Sequence, residues 1–129
     1  MWIINRIKKI DLLLLNVALS LFIINNYVKA DINIAYLGYL LKNHFNDFLG
    51  GIAFLAYINA ILSMKKGKRL RINGINHCLI LMFFVGLIWE YITPLYCSSS
   101  TADPLDILAY CLGGVVYGLL NKRFQKQIC

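Results

Sequence analysis

Four apolar runs, at about 10–28, 48–64, 75–95 and 105–120, are separated by short polar links, and they constrain this chain more than any other feature. Each approaches the roughly 20 residues that an α-helix needs to cross a hydrocarbon core of ~30 Å. Inside such a core every backbone N–H and C=O must find its partner within the protein, so isolated crossing segments are helical. The expected fold class is therefore all-α: one integral membrane four-helix bundle over residues 1–129. Composition agrees. The chain is 60% apolar and only 15% charged, where a soluble domain carries about a quarter charged residues. A further stretch, INIAYLGYLL at about 32–41, is too short to cross, and Tyr36 and Tyr39 suit a segment lying at the membrane surface.

The basic residues give the bundle a direction. Arg6, Lys8 and Lys9 precede the first run. Lys65, Lys66, Lys68, Arg69 and Arg71 link the second to the third, and Lys122, Arg123 and Lys126 follow the fourth. Of the thirteen basic residues only Lys29 and Lys42 fall elsewhere. Four crossings put all three clusters on one side, whereas a fifth through 27–41 would export the KKGKRLR link. The positive-inside rule then predicts a multi-pass membrane protein with both termini cytoplasmic. The first run loosely resembles a cleavable leader, but Asn25, Asn26 and Lys29 crowd the cleavage region, and the run is read as an anchor. A net charge of +7 held in short flanking clusters points to anionic membrane surface. No nucleic-acid partner is expected.

This topology gathers Asp31, Asp47, Glu90, Asp103 and Asp106, five of the six acids, in the outer half. Glu90 lies about 8 Å below the outer end of its span at 1.5 Å per residue. A carboxylate there costs roughly 2.5–3.5 kcal/mol on insertion scales, so it should face protein or water. Helical spacing places Gly86, Glu90 and Thr93 in one row, and Asp103, Asp106, Tyr110, Gly113 and Tyr117 in another. His44 and Asp47 share a face if their helix begins before His44. Turned toward one another, His44, Asp47, Glu90, Thr93, Asp103, Asp106 and Tyr110 form the candidate ligand-binding residues of an outward polar pocket. Asp103-Pro104 also reads as a helix start with Asp at the N-cap and Pro at N1, which accounts for Asp103 without a ligand. Thr93-Pro94 is read as closing the third span.

Gly50, Gly51, Gly86, Gly113, Gly114 and Gly118 are read as helix-packing positions, where small residues let backbones approach. The Gly114-xxx-Gly118 ridge could alternatively pair two copies of the chain. Asn16 and Asn59 are expected to hydrogen-bond across helices. Cys78, Cys97, Cys111 and Cys129 show no metal-ligand spacing. No metal and no cofactor is expected, nor a disulfide framework.

The order of a histidine at one helix start, GLIWE late in the next helix, and DPLDILAYCLGG opening the last resembles the VanZ-like membrane proteins. That family pattern has Asp and His opening its second helix, Glu-x-x-Gln on the third, an Arg-containing loop, and Asp-x-x-x-Asn-x-x-Gly opening the fourth. The match falls on His44, Glu90, Asp106 and Gly113 and covers roughly 44–120. Thr93 replaces the Gln, Tyr110 replaces the Asn, and the loop from Cys97 to Ala102 carries no Arg. The resemblance implies a divergent member, a four-helix protein of the cell envelope, placed in the bacterial cytoplasmic (inner) membrane and engaging lipid-linked or glycopeptide-related molecules. Without the Arg an anionic headgroup lacks its clamp.

The leading expectation is a binding or accessory protein whose pocket takes a lipid headgroup, an envelope intermediate or a partner subunit. A small proton- or cation-coupled transporter using Glu90 and Asp106 is the alternative, though no inverted repeat is visible. An intramembrane enzyme ranks lower, because no nucleophile or phosphate motif is present.

Overall fold

The structure, a computed structural model, describes residues 2–28, 31, 35–64, 70–99 and 102–128. Among the described residues every regular element is helical. Helix α1 spans Trp2–Val28, α2 Ala35–Asn43 and α3 Phe45–Leu62. Helix α4 spans Ile75–Leu87 and passes through a π-helical turn, Ile88–Ile92, into the short α5, Thr93–Tyr96. Helix α6 runs Pro104–Ile128. Three helical stretches are long and apolar enough to cross a membrane: Phe45–Leu62, Ile75–Tyr96 and Pro104–Gln127. They match the second, third and fourth apolar runs and mark the chain as a membrane protein.

The helices outrun the apolar runs at several ends, because backbone hydrogen bonding continues where polarity changes. α1 begins well before Ile10, with the Arg6 guanidinium 4.0 Å over the Trp2 ring. α6 carries on past Leu120 through Lys122, Arg123 and Lys126, cations that suit a helix C-terminus. α3 ends at Leu62, where the Ser63 hydroxyl donates to the Asn59 carbonyl at 2.7 Å. The third rod does not stop at Thr93-Pro94 but continues to Tyr96. Pro94 has no N–H for the Glu90 carbonyl, and the turn before it widens into the π form. The tyrosine-bearing stretch at 32–41 contributes α2, while residues 32–34 lie outside the described residues, as do 65–69 of the basic link. Gly74 starts α4 with φ of 94°, a left-handed backbone that favours glycine.

α6 packs along both α3 and α4, and α1 packs along α3. Paired residues give the directions. His44 and Asn59 of the α3 region meet Asp106 and Tyr117 of α6, so those two run parallel. Gly86 meets Ile107 while Gly118 meets Ile75, so α4 and α6 are antiparallel. Asn25 and Asn46 bond near one end of α1 and α3, which are antiparallel too.

Glycines set the α3–α6 separation. A Cβ on Gly51 would lie 2.7 Å from the Tyr110 carbonyl oxygen, and one on Gly113 would overlap the Phe48 carbonyl. On the α4 side, a Cβ on Gly114 would lie 2.8 Å from Met82, and one on Gly118 3.1 Å from Ile75. Gly86 and Gly50 face Tyr110 at 3.4 and 3.5 Å. The Gly114–Gly118 ridge is thus occupied by α4 of the same chain. This is the packing within the bundle that its small residues suggest.

The core is a compact layer of Ala18, Ile52, Leu55, Ala56, Cys78, Met82 and Tyr117. The outside is apolar as well: Leu13, Ile23, Ile80, Phe84, Trp89 and Leu112 are each more than half exposed. Water would penalise so broad an apolar surface, whereas lipid tails accept it.

Candidate functional site

Polar side chains collect at two opposite ends of the helices, on either side of the apolar layer. At the acidic end, α2 gives way to α3 at His44. The His44 N–H donates to the Leu40 carbonyl at 2.9 Å, and its own carbonyl accepts from Phe48 at 3.0 Å. His44 is therefore the N-cap residue of α3 rather than a residue inside it. It still shares a side with Asp47. His44 Nδ1 lies 2.7 Å from Asp106 Oδ1, and one turn along, the Tyr110 hydroxyl donates to Asp47 Oδ1 at 3.0 Å. The spacing of three on α3 thus faces a spacing of four on the parallel α6, as neighbouring positions of one helix face require.

The π turn carries Glu90, which is buried. Its Oε2 accepts the Asp103 backbone N–H at 2.9 Å. Asp103 Oδ1 accepts the Leu105 N–H at 2.9 Å. This is the N-cap geometry that Asp-Pro foretells, and it frees Asp106 from capping to face His44. Thr93, half-buried beyond the π turn, joins none of these hydrogen bonds; its carbonyl accepts the Cys97 N–H at 2.9 Å. Asn46, beside Asp47, turns away to α1, accepting from Asn25 and donating to Asn26, both at 3.0 Å.

The result is a cluster of four carboxylates from three helical elements with one imidazole. Glu90 and His44 are buried, while Asp47, Asp103, Asp106 and Tyr110 are half-buried. With the proton on Nδ1, donated in a hydrogen bond to Asp106, the imidazole presents Nε2 as an acceptor. Nε2 is buried and has no hydrogen-bond partner among the described residues. The Tyr39 ring stands edge-on to the imidazole at 5.4 Å. One donor atom each from His44, Asp103 and Asp106 lie within 4.8 Å of one another. That separation and donor set suit a divalent cation. No arginine or lysine is among these partners, so the cluster favours a cationic or hydrogen-bond-donating group.

The opposite, basic end holds a network that the sequence reading missed. Asp11 of α1 is fully buried. The Arg71 guanidinium grips it with both terminal nitrogens, the longer contact being 3.1 Å from Nη2 to Oδ1. The Tyr117 hydroxyl donates to the same carboxylate at 2.7 Å and accepts from Asn59 Nδ2 at 2.7 Å. Asn59 also takes the Ile72 N–H at 2.8 Å and donates to the Ile72 carbonyl at 3.1 Å, and Asn121 accepts from Arg71 at 3.1 Å. Asn59 does bond across helices. Asn16 instead donates back to Leu12 of its own helix at 2.8 Å, because it sits on the exposed side of α1. The signals were present, with an aspartate inside α1, an asparagine inside α3 and the Tyr117 end of the α6 row. Arg71, however, was indistinguishable from the anchoring cations beside it. Compared with protein-family models, with characterised proteins and with solved structures, the chain finds no match.

Proposed function

We propose that this chain is a multi-pass protein of the bacterial cytoplasmic membrane, a divergent VanZ-like protein with α1 as a fourth crossing helix. Both termini then lie on the cytoplasmic side, since the basic end is retained there. The acidic end opens outward as a binding or accessory pocket. Its ligand presents an ammonium or a set of N–H and O–H donors, carried by a lipid headgroup, an envelope intermediate or a polar segment of a partner subunit. Buried His44 Nε2, which has no hydrogen-bond partner among the described residues, on an imidazole clustered with Asp103 and Asp106, carries this reading. A buried basic nitrogen without a donor costs about 1–3 kcal/mol, and a ligand group supplying the donor removes that cost.

Native mass spectrometry of the detergent-extracted full chain tests it. A stoichiometric small-molecule or partner adduct is expected on the native chain and on Thr93→Ala. It should be lost from His44→Phe and Asp106→Asn while thermal stability stays within ~1.5 kcal/mol. An adduct surviving both substitutions removes the pocket reading. The spacing of His44, Asp103 and Asp106 favours one second reading, a divalent cation at the same place. Elemental analysis after chelation and reloading with Mn²⁺ distinguishes it: about one ion per chain, absent from Asp106→Asn.

A further inference from the structure

α1 and α6 touch only lightly, and where they diverge at the basic end a cleft of about 410 Å³ opens between them. Its lining is Arg6, Lys9 and Ile10 from α1 with Phe124 and Gln127 from α6. Two cations and an amide thus surround a floor made by one aliphatic and one aromatic side chain. Among the described residues no carboxylate lies in the lining. The acid of this end, Asp11, is fully buried and held by Arg71 and Tyr117, so it does not neutralise Arg6 or Lys9. The Arg6 guanidinium carbon lies 4.0 Å from the centre of the Trp2 ring, a cation–π contact that steadies the group without using up its hydrogen-bond donors.

The cleft also has a direction. On α1, residues four apart lie on one side, so Lys9, Leu13 and Val17 form a row leading from the cleft toward the middle of the helix. Leu13 and Val17 are 56% and 47% exposed. A charge-binding cleft that continues into an exposed apolar track is the shape of a headgroup with its acyl chain. A free anion would use only the first part. Basic pockets between membrane helices are established places for acidic headgroups.

We propose that the α1–α6 cleft binds an anionic glycerophospholipid, with Arg6 and Lys9 on the phosphate, Gln127 on the headgroup and the acyl chain along Leu13 and Val17. The site is independent of whatever the acidic end binds. It gives α1, joined to α6 mainly through Asp11 and Tyr117, a second tie to that helix through the lipid.

The test is titration of the purified full-length protein in detergent with phosphatidylglycerol or phosphatidylcholine of identical acyl chains, read by native mass spectrometry. One phosphatidylglycerol should bind in preference to phosphatidylcholine, and millimolar inorganic phosphate should leave it in place. Each basic side chain near the headgroup contributes on the order of five-fold in affinity, so R6Q/K9Q should bind roughly thirty-fold more weakly. The charge-matched K122Q/K126Q should lose no more than about five-fold. Ile10→Trp, which fills the cleft and keeps its charge, should also expel the lipid. That variant and the comparison of the two lipids on the native chain decide the matter if R6Q/K9Q does not fold. Equal binding of the two lipids, displacement by inorganic phosphate, equal losses in the two charge-matched variants, or full retention in Ile10→Trp would each overturn the proposal.

Discussion

Removing the Arg71 guanidinium leaves Asp11, a fully buried carboxylate, without its counter-ion. Breaking a buried ion pair from one side costs about 3–5 kcal/mol, so Arg71→Gln should show a large fall in thermal stability in detergent. The double variant D11N/R71Q restores hydrogen-bonding neutrality and should recover a substantial part of it. A double variant no better than R71Q would mean that the pair is not the source of the loss. Glu90 poses a second question at this scale. Its visible task is to accept one backbone N–H, that of Asp103. A glutamine can do the same, so Glu90→Gln should cost less than about 1 kcal/mol, whereas Glu90→Leu orphans the donor and should cost about 1–3 kcal/mol. Equal losses in the two variants would show that the charge matters beyond capping. Sequence alone singled out Glu90 as a carboxylate in an expensive place. It could not say that the partner is a backbone amide thirteen residues on, because that depends on where the start of α6 sits against the π turn.

At the scale of elements, α3, α4 and α6 are held at glycine crossings, and the crossings differ in what opposes them. A Cβ on Gly113 would overlap the Phe48 carbonyl outright, while one on Gly118 would lie 3.1 Å from the Ile75 Cα, a tight contact that a shift of a few tenths of an ångström relieves. Gly113→Ala should therefore destabilise by about 1–3 kcal/mol and Gly118→Ala by distinctly less. Thermal melts of the two variants check the ranking, and a reversed order would contradict the packing. The spacing of these glycines made close helix approach legible from the sequence, but not which helix approaches. The π turn was likewise hidden. Pro94 signals a disturbance, and in the sequence Thr93-Pro94 reads as closing the third span. In the structure the helix absorbs it by widening one turn, which keeps Glu90 buried and extends the rod to Tyr96.

For the whole molecule, two polar clusters flank an apolar layer of Ala18, Ile52, Leu55, Ala56 and Met82. This division gives the orientation its test. Cys97 is exposed beside the acidic end, so in intact cells a membrane-impermeant maleimide should label it, and Cys97→Ser should abolish that labelling. Labelling of Cys97 only after permeabilisation would invert the topology. The all-helical class and the three crossing stretches were legible from the sequence, because lipid leaves a long apolar segment no other way to satisfy its backbone. Helical periodicity also indicated that His44, Asp47, Asp106 and Tyr110 could share one side. The tertiary structure decided the pairings: Asp106 with His44, Asp47 with Tyr110, Glu90 with the start of α6, and Arg71 withdrawn from the basic link to bind Asp11. Spacing along a helix fixes only which residues lie on one face. Which face meets which neighbour follows from how closely the glycine-lined backbones pack, a balance over the whole molecule that no single segment contains.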